Sequence, residues 1–223
     1  MLPSGLVLVA GGCDGLKAIA SAELFDPATG KFTSTGSLTT TRDFHTAMEL
    51  KSGLVLIAGG QDAAGAHLAS AELYDPGTGK FNATGSLTTG RWSPGATLLA
   101  DGRVLFTGGI GTGKYLASAE TYDPATGLFT DTGPMTAARS GQADALLLDG
   151  RVLVTGGRDE MSYWTSAEIW TVWWPDPEET AQLPAIRTHS RECLTTEATP
   201  QRIGTLAAGV RPGFRQATRR TGI

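Results

Sequence analysis

Cysteine is almost absent. Cys13 and Cys193 are the two in 223 residues, far apart and in unlike segments. A disulfide framework is therefore excluded as the source of order, and the pair reads as two free thiols, which leaves the compartment undecided. Long apolar runs are absent too. A membrane-spanning helix needs about 18 consecutive apolar residues, and none is expected here. There is no basic excess either: 18 Lys and Arg stand against 22 Asp and Glu, a net charge of -4. Nucleic-acid binding wants a basic stripe, so it is not expected. The acidic balance also argues against anionic membranes. The opening Met1–Ala10 lacks a charged start, and its apolar stretch aligns with later copies of a repeat, so it does not read as a signal peptide. Its Gly-Gly pairs are not followed by Lys-Ser/Thr and a helix, which removes a phosphate-binding loop and any nucleotide implied by one.

What the chain does have is a period. Ser-Ala-Glu returns every 48 or 49 residues, as SAELFDP at Ser21–Pro27, SAELYDP at Ser70–Pro76, SAETYDP at Ser118–Pro124 and SAEIW at Ser166–Trp170. Gly11-Gly12, Gly59-Gly60, Gly108-Gly109 and Gly156-Gly157 keep the same beat. A period of this size means stacked supersecondary units.

Residues 91–139 are the clearest copy. Thr97-Leu98-Leu99 closes a short strand, and Asp101-Gly102 is a hairpin turn with a left-handed position for glycine. Arg103–Thr107 is apolar and β-branched, and reads as a strand buried on both faces. After Gly108-Gly109 and a polar loop, Ala119–Tyr122 alternates with the strand period of two. Asp123-Pro124-Ala125-Thr126-Gly127 is a turn, since Asp caps the backbone, Pro fixes φ and Gly takes the left-handed position. Leu128-Phe129-Thr130 is the fourth strand. Four short antiparallel strands per unit describe one blade of a β-propeller.

These marks resemble the kelch family: a strand ending in Gly-Gly, then an aromatic, then a second aromatic. Here they are Gly59-Gly60, Tyr74 and Phe81, with Phe25/Phe32 and Tyr122/Phe129 in the flanking copies. The phrasing looks like the bacterial kelch-like branch. The second aromatic is Phe where the family often has Trp, which keeps apolar bulk and loses an N–H donor. The resemblance covers residues 1–170 and implies an all-β, kelch-type β-propeller segment of about three and a half four-stranded blades, an incomplete ring.

The expected organisation is a partial blade at 1–37, blades at 42–85 and 91–133, and a partial blade at 139–174. Leu2 aligns with Leu50 and Leu99, so the first strand of the first blade is expected to be missing. Past Trp170 the pattern stops. The stretch from 171 holds seven Arg, no Lys and five of the eleven Pro, and 175–223 reads as an irregular, poorly ordered tail. Val172-Trp173-Trp174 is a candidate outer strand for the fourth blade, and an out-of-frame tail is the alternative. Propellers close with roughly four to eight blades. The chain therefore reads as a fragment of a longer propeller, or as one that self-associates through exposed blade faces.

Two loop sets are expected on one face, those joining the fourth strand to the next blade and those joining second to third strands. Loops on a rigid scaffold carry function. The first set delivers Arg42, Arg91 and Arg139, either a partial ring of guanidiniums for a carboxylate, sulfated sugar or acidic peptide, or a structural residue serving carbonyls of the next blade. The second set differs among copies, where specificity should lie, and offers Lys17, His67, Lys114, Tyr115, Tyr163 and Trp164. Tyr115 and Trp164 read equally as shields of a blade edge. His45, Pro94 and Gln142 share one position, and His45 reads as a packing histidine. Asp14, Asp62 and Asp159 read as turn residues rather than Ca²⁺ ligands. The expected role is recognition of a protein or a glycan, with no cofactor or metal. A purely structural repeat of a larger secreted protein is one alternative. A kelch enzyme remnant is another: a galactose oxidase likeness would require a copper site with two His, two Tyr and a Cys linked to one Tyr. This chain has three His, one of them in the tail, and Cys13 lacks the matching context. A sialic-acid epimerase is the other enzyme of this kind.

Overall fold

The computed structural model describes residues 1–171 together with the backbone of a two-residue strand at Cys193–Leu194. The first sheet holds β1 (Val7–Ala10), β2 (Ala22–Asp26) and β3 (Lys31–Ser34). The second is β4 (Thr46–Glu49), β5 (Val55–Ala58), β6 (Ser70–Asp75) and β7 (Lys80–Ser86). In the third, β8 (Gly95–Leu98) and β9 (Val104–Thr107) are followed by a small hairpin, β10 (Ile110–Gly111) and β11 (Lys114–Tyr115). β12 (Ser118–Asp123) and β13 (Leu128–Pro134) complete that sheet. The fourth is β14 (Ala143–Leu146), β15 (Val152–Thr155), β16 (Ala167–Trp170) and β17 (Cys193–Leu194). Each sheet is an antiparallel meander in sequence order, as a propeller blade requires.

The expected strands and the observed ones differ mainly in length. β13 runs on to Pro134, and a bulge at Ala119/Glu120 absorbs the extra residue. Among the described residues the first sheet has three strands, without the inner strand that β4, β8 and β14 supply to the others. At the far end, the outer edge of β16 pairs with Cys193–Leu194, Ala167 opposite Leu194. Val172-Trp173-Trp174, expected there, lies outside the described residues, and so, apart from Cys193–Leu194, does the stretch 175–223 expected as a tail.

The turn chemistry is as the sequence dictates. Asp26 Oδ1 accepts the Ala28 N–H at 2.8 Å and its Oδ2 the Thr29 hydroxyl at 2.8 Å, while Gly30 takes φ 69°. Asp75 does the same with Gly77 and Thr78. The Thr hydroxyl and the backbone N–H hold both carboxyls below the usual range.

Blade-on-blade packing forms the core. β5 and β9 are buried at every position, matching an apolar run that faces a neighbour on each side. Leu8, Ala10 and Leu24 of the first sheet meet Val55, Ile57, Tyr74 and Phe81 of the second. Leu56, Ala58 and Ala71 then meet Val104, Phe106 and Tyr122, and Leu105 and Ala119 meet Val152, Val154 and Trp170. The two aromatics of each unit stack, with centroids 4.8 Å apart for Tyr74–Phe81 and 4.9 Å for Tyr122–Phe129. The tyrosine hydroxyl crosses to the preceding blade: Tyr74 bonds Thr35 at 2.9 Å and Tyr122 bonds Thr84 at 2.9 Å. Phe25 stacks on Phe32 at 4.8 Å with no such hydroxyl.

Candidate functional site

Three arginines organise the joints between sheets. Arg42, Arg91 and Arg139 are at most 1% exposed. The backbone of Arg42 belongs to the sheet before it: its N–H donates to Ile19 O, and its carbonyl accepts from Gly12 N. Its side chain reaches the sheet after it, donating to Gly59 O at 2.9 Å, Ser70 O at 3.0 Å, Ser70 Oγ at 3.2 Å and Glu72 at 2.8 Å. Arg91 repeats this on Gly108, Ser118 and Glu120. Arg139 repeats it on Gly156 and Ser166, and forms an ion pair with Glu168 at 3.1 Å. The acids are bound from a second side by the linker, since Thr39, Thr88 and Thr136 donate their N–H to Glu72, Glu120 and Glu168. Burial would raise the Glu72 carboxyl, but the Thr39 N–H and the Arg42 guanidinium outweigh it and hold it low. Burial pushes the Arg91 guanidinium down from its ordinary value, against the opposing pull of Glu120. Such guanidiniums present no face to a ligand. Of the two readings the sequence leaves open, this geometry agrees with the structural one and not with a ring of free cations.

The two loop sets do lie together, because they bridge one another in each full sheet. Asp43 and Gln61 exchange backbone hydrogen bonds at 3.0 Å, Trp92 and Ile110 at 3.0 and 2.9 Å, and Ser140 and Arg158 at 3.0 Å. A cleft of about 290 Å³ opens among them. His67, Lys114 and Tyr115 line it together with Trp92, Arg158 and Glu160. Lys114 and Tyr115 are placed by the β10–β11 hairpin, in which Gly111 pairs with Lys114. Trp92 is the hub: its ring lies 4.9 Å from Phe44 and 6.3 Å from His67. Trp92 Nε1 and His67 Nδ1 are enclosed with no protein partner among the described residues. Buried polar atoms left this way call for an explanation, and a ligand is one. Phe44 is 58% exposed and sits at φ 48°, a conformation costly for a bulky side chain. Gly141 takes the same place in the fourth sheet at φ 68° without that cost.

The other candidates fall elsewhere. Tyr163 is 81% exposed and bridges to Arg158, beside the cleft rather than in its wall. Trp164 donates Nε1 to Ala138 O at 3.1 Å and lies over the Arg139 guanidinium at 5.8 Å, so it covers a joint. Lys17 is exposed in the first loop. Asp14, Asp62 and Asp159 accept the backbone N–H groups of their own turns. Among the described residues no three His, Cys, Asp or Glu side chains cluster as a metal would need. No helix among them is long and apolar enough to cross a membrane. Trp92 and Phe44 were not singled out by the sequence. The signal was available: the residues after each linker arginine differ from copy to copy, as Asp43/Trp92/Ser140 and Phe44/Ser93/Gly141.

His45 lies between the glycine pairs of two sheets, close to Gly11 and Gly60. Burial, then the Arg42 charge, push its pKa down to about 4 from 6.5. The unfolded chain thus binds the proton first as pH falls. The contribution of a neutral His45 is intact above pH 6.5 and is lost progressively between 6.5 and about 4. The expected result is a fall of up to ~1.4 kcal/mol per pH unit in that window. Urea melts at pH 7 and 5 check it, with a flatter dependence expected for His45→Gln, the residue found at the equivalent Gln142.

Residues 4–39 match the family profile described as Kelch motif. Among curated proteins, none matches the chain.

Proposed function

We propose that this chain is a protein-recognition module of kelch repeats, and that its partner docks on the loop face with a side chain entering the Trp92 cleft. The observation that carries the reading is the cleft itself, whose wall around Trp92 and His67 is built by loops of three sheets that differ from copy to copy. An aromatic wall of this kind suits an apolar or aromatic side chain. Lys114 and Arg158, both exposed and lining the cleft together with Glu160, favour an acidic neighbour to that side chain. Phe44 extends the apolar surface, and its strained backbone is supported by Ser93 N–H donating to its carbonyl at 2.9 Å. The sites that differ among copies provide selectivity, while the buried arginines hold the scaffold.

The test is selection of a displayed random-peptide library on the full chain, with a glycan array run beside it. Peptides with an apolar or aromatic residue next to an acid are expected to be enriched. Trp92→Ala should weaken them by roughly thirtyfold, the size of a typical anchor loss. The melting temperature should fall little, because Trp92 is only half-buried. Glycan binding that Trp92→Ala abolishes, with no peptide enriched, would move the reading to carbohydrate recognition.

A further inference from the structure

The joint between sheets appears three times in full and once in part. Each full joint seats an arginine on four acceptors: the carbonyl of the first glycine in the pair, the Ser carbonyl, the Ser hydroxyl and the Glu carboxylate. The first sheet carries the same acceptors in the same order, Gly11, Ser21 and Glu23, on the same strands. Gly11 N donates to Ser21 O at 2.9 Å, as Gly59 N does to Ser70 O at 3.2 Å, so the backbone frame is already built. No arginine reaches it among the described residues. Glu23 and Ser21 are exposed where Glu72 and Glu120 are buried.

Two further observations fall at the same place. The inner edge of β1 has no partner strand among the described residues, whereas β5, β9 and β15 each carry an inner neighbour. Val9 is 46% exposed, against 0% for the equivalent Ile57 and Phe106. A cavity of about 280 Å³ lies along that edge, walled by Leu8 and Ala10 of β1, Ala47 and Glu49 of β4, and His45. In the complete sheets the inner strand stands four residues after the arginine, as Thr46 follows Arg42 and Gly95 follows Arg91. An open edge and an acid pocket are thus set at the spacing that one segment spans.

We propose that this edge binds an extended segment of another polypeptide, reading arginine, three residues, then a four-residue strand. The strand pairs with β1, the arginine closes on Glu23, Ser21 and the Gly11 carbonyl, and strand side chains fill the cavity. Main-chain bonds to an exposed sheet edge supply affinity. The buried guanidinium–carboxylate pair supplies register.

The probe is a fluorescent peptide of residues 38–50 of this chain, added to the full-length protein and followed by anisotropy. Saturable binding is expected. Changing Arg42→Ala in the peptide, or Glu23→Gln in the protein, should weaken it at least about tenfold. The two changes together should cost no more than either alone. Glu23 is exposed, so Glu23→Gln should melt as the parent does. Amide hydrogen exchange should slow at residues 7–10 on peptide addition. Absence of saturable binding, equal binding by the Ala peptide, or protection away from β1 would overturn the proposal.

Discussion

Arg91→Ala is expected to lower the unfolding free energy by about 3–5 kcal/mol, the cost of leaving one member of a buried ion pair alone. Glu120 would keep its Thr88 N–H bond but lose its cation, and the Gly108 and Ser118 carbonyls would lose their shared donor. Against a typical domain stability of about 5–15 kcal/mol, that is a large fraction. Arg91→Lys should restore little, because a single ammonium does not reach the Ser118, Gly108 and Glu120 acceptors as a planar fork does. Replacing Arg91 and Glu120 together with apolar residues should recover more than either single change. Urea unfolding of the parent and these variants measures all of this. Unchanged stability with loss of partner binding would instead place the guanidinium at a ligand.

Gly59→Ala is expected to cost stability on a similar scale. The residue sits at φ 69°, and an added Cβ would come 2.6 Å from the Arg91 carbonyl oxygen. That oxygen accepts the Gly60 N–H at 2.8 Å, so it has nowhere to move without opening the joint. The left-handed backbone costs roughly 1–2 kcal/mol for a residue with a Cβ, and overpacking costs a further ~1–3 kcal/mol. Gly30→Ala separates the two contributions. Gly30 has the same φ of 69° and nothing within 4 Å of its added Cβ, so it should show the backbone cost alone. Thermal melts of the two variants give the difference directly.

The glycine pairs, the Ser-Ala-Glu phrase and the Asp-Pro-x-Thr-Gly turn made the strands legible, because each has a local cause. Gly102 and Gly127 take the positive φ their turns need, at 97° and 71°. Four strands per unit followed. The pairing of Arg42 with Glu72 was not legible, though both residues recur at fixed places. A glutamate between Ala and Leu in a strand looks like the polar half of an alternating pattern, and its burial is decided by the neighbouring sheet. The cleft was half legible. His67, Lys114 and Tyr115 come from loops that vary, and the structure gathers them. Trp92 escaped because the adjacent arginine carried the periodic signal. Tyr163 and Trp164 are in the same class of loop, yet the hairpin of the fourth sheet turns one outward and lays the other on Arg139.

Each linker is tied to residues that come after it. Thr39 N–H waits for Glu72, and Arg42 for Gly59 and Ser70. A ribosome that has released one repeat has therefore released a connector whose partners are still unwritten. Native order should advance along the nascent chain one repeat behind elongation, each new unit locking its predecessor.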